Sequence, residues 1–109
     1  MILAFSTLKV RDLCLHQTKA EAKYGYAIAK QLRARITDLR AAESVRQLIA
    51  GHPKAVERNP HERYAIMLQD GFQLIFEPNY SDVPQKKSGG VDWNLVRRIK
   101  ILRIEVKHA

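Results

Sequence analysis

Four histidines, His16, His52, His61 and His108, are the side chains best able to exchange a proton near neutral pH. No spacing among them resembles a metal site, and the single cysteine, Cys14, builds no thiolate zinc cage. Cys14 closes no internal disulfide either, so it reads as a small core residue. The rest of the available chemistry is cationic. Nineteen Lys and Arg against eleven Asp and Glu give a formal charge of +8, and the excess is clustered. Lys19 to Arg40 holds six basic and two acidic residues, and Lys86 to Ala109 seven and two, whereas Ala41 to Gln85 holds four and six. Such clustering fits a polyanion, which for an intracellular protein is usually nucleic acid, or an acidic protein partner. Solvated helix and strand faces would explain either cluster alone equally well.

The elements that position these residues follow from patterning. The chain is the size of one domain, 1–109, with a single core. No run approaches the roughly 20 apolar residues of a membrane span. The start "MILAFSTLKVRDL" is charged too early for a secretory signal, so a soluble, cytoplasmic protein is expected. "MILAFS" suits a first strand, and Ser6 or Thr7 then caps a brief helix carrying Leu8, Val10 and Leu13. Thr18 and Glu21 form a T-x-x-E capping box ahead of a long helix in which Ile28, Leu32, Ile36 and Leu39 recur at helical spacing. Lys19, Lys23, Lys30, Arg33 and Arg40 fall off that stripe. "ESVRQLIAG" adds a short turn or helix, and the Pro-punctuated loop after it has room for an edge strand around Ala55 to Arg58.

In "RYAIMLQDGFQLIFEP" a two-residue Asp-Gly turn would leave both sheet faces half apolar. A three-residue connection, a type I turn with Gly71 left-handed, pairs Tyr64 with Phe76, Ile66 with Leu74 and Leu68 with Phe72. All six large apolar side chains then share one face. The opposite face carries Arg63, Ala65 and Met67 on one strand and Gln73, Ile75 and Glu77 on the other, with Glu77 able to pair with Arg63. A turn-rich loop follows, in which Trp93 is expected as an anchor. Tyr24 and Tyr26 on the long helix read as packing residues. In "VRRIKILRIEVKHA" the alternation changes phase at Ile101-Leu102, as a β-bulge or a strand covered on both sides would cause. Two helices before a meander of strands predict an α+β domain, with the N-terminal helices on one face of a mainly antiparallel sheet and the other face free.

"FSTLKVRDLC", "LRARITDLRAAESVRQL", "FQLIFEP" and "VPQKKSGGVDWNLVRRIKIL" resemble the HigB-like "killer" branch of the RelE/ParE superfamily of toxin-antitoxin toxins. The similarity runs from Met1 to His108, and its most specific parts are "LIFEP" and the "GG-x-DW" loop. The resemblance implies a microbial RNase-like fold and metal-independent, cofactor-free cleavage of messenger RNA on the ribosome. It also implies a helix-turn-helix (HigA-like) antitoxin held in a hetero-oligomer. Family members commonly have an Arg where this chain has Gln73, a Leu-Lys-Gly-Asp-Arg run where it has Val56 to Pro60, and Asp-Tyr-His where it has Val106, Lys107 and His108. Only His108 matches. Cleavage beside a 2'-hydroxyl needs a base, an acid and cationic stabilisers. His108, Lys107, Arg63 and Gln73 are the candidate catalytic positions. Lys54, Arg58, His61, Lys86, Lys87, Arg97, Arg98, Lys100 and Arg103 are the candidate RNA contacts. The missing Arg and Tyr equivalents equally fit a non-catalytic member that binds nucleic acid or an antitoxin. ParE-like inhibition of gyrase is a third, less supported reading.

Overall fold

The computed structural model describes residues 1–56 and 62–106. Their elements, in chain order, are β1 (Ile2–Phe5), α1 (Leu8–Leu15), α2 (Gln17–Tyr24), α3 (Tyr26–Ala41), β2 (Lys54–Ala55), β3 (Tyr64–Met67), β4 (Phe72–Pro78) and β5 (Arg98–Val106). The five strands form one sheet in the order β1-β5-β4-β3-β2. β1 and β5 are parallel and the other pairs antiparallel, so the α+β class is as expected and the sheet is mixed, with antiparallel pairs predominating.

The expected capping box does not form, and the long helix is two. Thr7 caps α1 by accepting from the Val10 N–H. Thr18 lies inside α2, whose N-cap is His16, while Gln17 Nε2 donates to Glu21 Oε1. The chain then breaks at Gly25 (φ 89°, ψ 168°). The apolar stripe of α3 is as expected: Ile28, Leu32, Ile36 and Leu39 are all buried. They pack with Ile66, Leu74, Phe76, Ile99 and Ile101 into one cluster, each such side chain contributing about 1.5–3 kcal/mol by leaving water. The Met1 ammonium donates to the carbonyls of Leu39, Arg40 and Ala42, placing positive charge where the α3 dipole is negative. Tyr24 packs edge-on against Phe72, with ring centroids 5.3 Å apart. Tyr26 differs from expectation in being exposed, with Lys30 Nζ 6.0 Å from its ring centre.

The hairpin has the expected register: Tyr64 faces Phe76 and Ile66 faces Leu74. Its turn is built differently. Asp70 (φ 56°, ψ 33°) and Gly71 (φ 76°) are both left-handed, and the Phe72 N–H donates to the Gln69 carbonyl, which makes a two-residue turn of the I' kind. The Leu68 N–H, rather than that of Gln69, donates to the Phe72 carbonyl (2.8 Å), and the Gln69 N–H turns to Gln31 Oε1 on α3 (2.5 Å). Gln69 is therefore one extra residue in the first strand, and it restores the register that a bare Asp-Gly turn would lose. Gly71→Val should cost about 1–3 kcal/mol, because a β-branched residue resists the left-handed region. An unchanged urea midpoint would contradict this turn.

β5 bears out the phase change. Ile75 faces Arg103 while the next residue, Phe76, faces Ile101, so Leu102 is a bulge. In the loop from Asn79 to Arg97, Gln85 bridges Val91, and Trp93 is buried as the expected anchor, its ring 4.4 Å from that of Tyr64 and 6.4 Å from that of Phe76. No helix among the described residues is long and apolar enough to cross a membrane.

Candidate nucleic-acid interface

The helices cover the sheet face that carries Phe76 and Ile66, so side chains of the opposite parity form an outer face. The register assigns it Lys54 on β2, Ala65 and Met67 on β3, Gln73, Ile75 and Glu77 on β4, and Arg98, Lys100, Arg103 and Glu105 on β5. Arg63, just before β3, joins it through an ion pair with Glu77, Nη2 to Oε1 at 3.4 Å. The face thus gathers five cations, Lys54, Arg63, Arg98, Lys100 and Arg103, and two carboxylates, Glu77 and Glu105.

Its centre is more closed than a freely solvated sheet would be. Ala65 and Ile75 are 0% and 1% exposed, and Gln73 is 9% exposed. Gln73 Nε2 donates to Glu105 Oε1 at 3.1 Å, and Arg103 Nε donates to the other oxygen of that carboxylate at 3.0 Å. This bond fixes the amide orientation, since a carboxylate needs the amide nitrogen as donor. Gln73 Oε1 is left buried without a hydrogen bond. A lone buried acceptor of this kind is costly in a stable fold.

The other candidate residues divide by location. Lys54 is exposed at the sheet edge, and Lys100 stands opposite Glu77. Arg98 is exposed beside Ile2, and Tyr80 Oη accepts from the backbone N–H groups of both Arg97 (2.6 Å) and Arg98 (3.1 Å), which fixes the start of β5. The Arg97 side chain turns away from this face: its Nη1 donates to the Asn94 carbonyl at 2.7 Å, and it lines a groove with Met1, Arg40 and Glu43. Lys86 and Lys87 lie exposed in a turn closed by Lys86 N–H donating to Gly90 O, within a loop whose Val91, Trp93 and Val96 enter the helix-side core. The structure therefore gathers Lys54, Arg63, Gln73, Arg98, Lys100 and Arg103, and leaves Lys86, Lys87 and Arg97 outside that group. Arg58, His61, Lys107 and His108 lie outside the described residues.

Glu105 was missed by reading candidates for their positive charge. The phase change in β5 was the available signal, because it puts Arg103 and Glu105 on the same parity as Gln73. Cys14 is buried, which pushes its thiol up to about 12 and keeps it protonated at neutral pH, so it is not a nucleophile there. Among the described residues no group of three or more His, Cys, Asp or Glu could hold a metal ion.

The arrangement can bind a phosphodiester backbone through its cations. Comparison of the chain with protein-family models, with curated proteins and with solved structures finds no match.

Proposed function

We propose that this chain is a toxin of the HigB-like branch of the RelE/ParE superfamily, which seats messenger RNA on the outer face of its sheet and cleaves it on the ribosome. A helix-turn-helix antitoxin would restrain it in a hetero-oligomer in the cytoplasm. The observation that carries this reading is the gathering of Lys54, Arg63, Arg98, Lys100 and Arg103 on the face that the helices leave uncovered, with Gln73 on the same face next to Arg103. Gln73 occupies the position where the resembled family commonly carries an arginine, and it lies on the same face as these cations. In the proposed mechanism the cations orient the phosphodiester and stabilise developing charge, and His108 serves as base or acid.

A second reading has its own observation. The Gln73 amide is tied to Glu105, and Arg103 to the same carboxylate, so this position supplies a neutral amide in place of a cation. A protein that keeps the binding face and has lost cleavage fits that arrangement. Inducible expression of the chain alone, with mapping of RNA 5' ends on translated messages, separates the two. The proposal expects growth arrest with new ends inside reading frames, both abolished by His108→Ala. Arrest without new ends would favour the binding-only reading, and arrest with supercoiling defects would favour gyrase as target.

A further inference from the structure

The two edges of the sheet are unlike. β2, at one edge, is two residues long, begins with Lys54 and follows Pro53. Shortness, lysine and proline are the devices that keep a sheet edge from pairing. β1, at the other edge, has four residues, Ile2, Leu3, Ala4 and Phe5, with no charge and no proline among them.

The backbone of β1 is half used. The Ile2 N–H donates to the Arg97 carbonyl and the Ser6 N–H to the Ile101 carbonyl, both on the side of β5. Alternation along the strand turns the N–H and C=O groups of Leu3 and Phe5 the other way, where the sheet ends. Among the described residues these four groups have no hydrogen-bond partner. At its Met1 end the same edge opens on a groove of about 450 Å³, lined by Ile2, Arg40, Ala41, Ala42, Glu43 and Arg97. Its apolar surface is accessible: Ile2 is 63% exposed, and Ala41 is exposed beside it. Its charge is mainly positive. Arg40 makes no ion pair among the described residues, Arg97 donates to a neutral carbonyl, and Arg98 stands opposite Ile2, with Glu43 the one acid of the groove.

We propose that β1 takes an added strand from an acidic partner segment, an extended peptide mixing aliphatic residues with Asp or Glu. Its backbone pairs with Leu3 and Phe5, its carboxylates meet Arg40 and Arg97, and an aliphatic side chain covers Ile2 and Ala41. In strand addition the main-chain bonds supply affinity and the side chains supply specificity. Charge decides between an acidic segment and a second copy of this chain, whose own edge would bring its arginines with it.

The probe is a capped heptapeptide alternating glutamate and valine, titrated into the full chain at fixed ionic strength and followed by NMR. Saturable shifts and slowed hydrogen exchange are expected at the Leu3 and Phe5 amides. A peptide with lysine in place of glutamate, and one with a central proline that cannot extend the sheet, should each bind at least about tenfold more weakly. The Arg40→Gln/Arg97→Gln variant should also lose about tenfold in affinity for the glutamate peptide, and because both arginines are exposed it should keep the dispersed spectrum of the folded chain. The proposal is overturned if the glutamate peptide gives no saturable shifts at Leu3 and Phe5, if either control peptide binds as tightly, or if the double variant binds as well as the wild type. Shifts centred on Lys54 and Lys100 would also overturn it, since the peptide would then be acting as a polyanion on the outer face. So would shifts at Leu3 and Phe5 that follow protein concentration without peptide, which would give the edge to a second copy.

Discussion

Gly51→Val is expected to lower the melting temperature by on the order of 15 °C, the equivalent of about 3 kcal/mol or more. Gly51 has φ +82°, which a β-branched residue adopts only with strain. A Cβ there would overlap the Ile66 side chain and stand 2.9 Å from the Met67 carbonyl oxygen, and neither can retreat easily. Ile66 is 1% exposed in the core, and the Met67 N–H donates to the Gly51 carbonyl at 2.7 Å, a bond that continues the sheet edge past the short β2. Relieving the overlap would break that bond and disturb β3 together. Gly89→Ala supplies the contrast: its φ is +95° but nothing lies within 4 Å of its Cβ, so about 1 kcal/mol of backbone strain is all it should lose. Equal losses in the two variants would mean that the close approach at Gly51 carries no weight.

Trp93→Ala should cost about 3–5 kcal/mol, as removal of a large buried aromatic usually does. The indole is 3% exposed between Tyr64 and Phe76, and through it the long loop joins the core of the sheet. Its Nε1 has no hydrogen-bond partner, so the loss is one of packing, and Trp93→Phe should recover much of it. The loop also carries Tyr80, whose hydroxyl holds the first amides of β5, so loosening it should weaken the placement of Arg98 on the outer face. Trp93 is the only tryptophan, so urea unfolding must be followed by far-ultraviolet circular dichroism. A midpoint within experimental error of the wild type would show that the loop is held elsewhere.

Much of this architecture was legible because burial leaves a period in the sequence. Ile28, Leu32, Ile36 and Leu39 declared α3, and the six apolar residues of the hairpin fixed its register, even though the turn that achieves it differs from the one expected. A slipped register would expose all six, whereas several turns can reach the same register, so pattern determines the first and not the second. The helix break at Gly25 and the close approach at Gly51 were less visible, since a glycine's role depends on what stands near it in space. The outer face was legible as a parity, and its cations could be read off β5. Its internal pairing was not, because the Gln73-Glu105-Arg103 bonds depend on where the bulge at Leu102 resets β5 against β4.

The central claim is that the outer sheet face, rather than the basic helical surface, seats RNA. Fluorescence anisotropy of a labelled single-stranded RNA, titrated at several salt concentrations, compares Lys54→Glu/Lys100→Glu with Lys23→Glu/Lys30→Glu. The two double variants change net charge equally, all four lysines lack an ion pair among the described residues, and the second pair lies on α2 and α3. The account predicts at least about tenfold weaker binding for the sheet variant. Its log-log salt slope should be shallower by about 1.4, as two lost phosphate contacts to a single strand imply. The helix variant should keep the wild-type slope. Equal losses in both variants, or a greater loss in the helix variant, would contradict it.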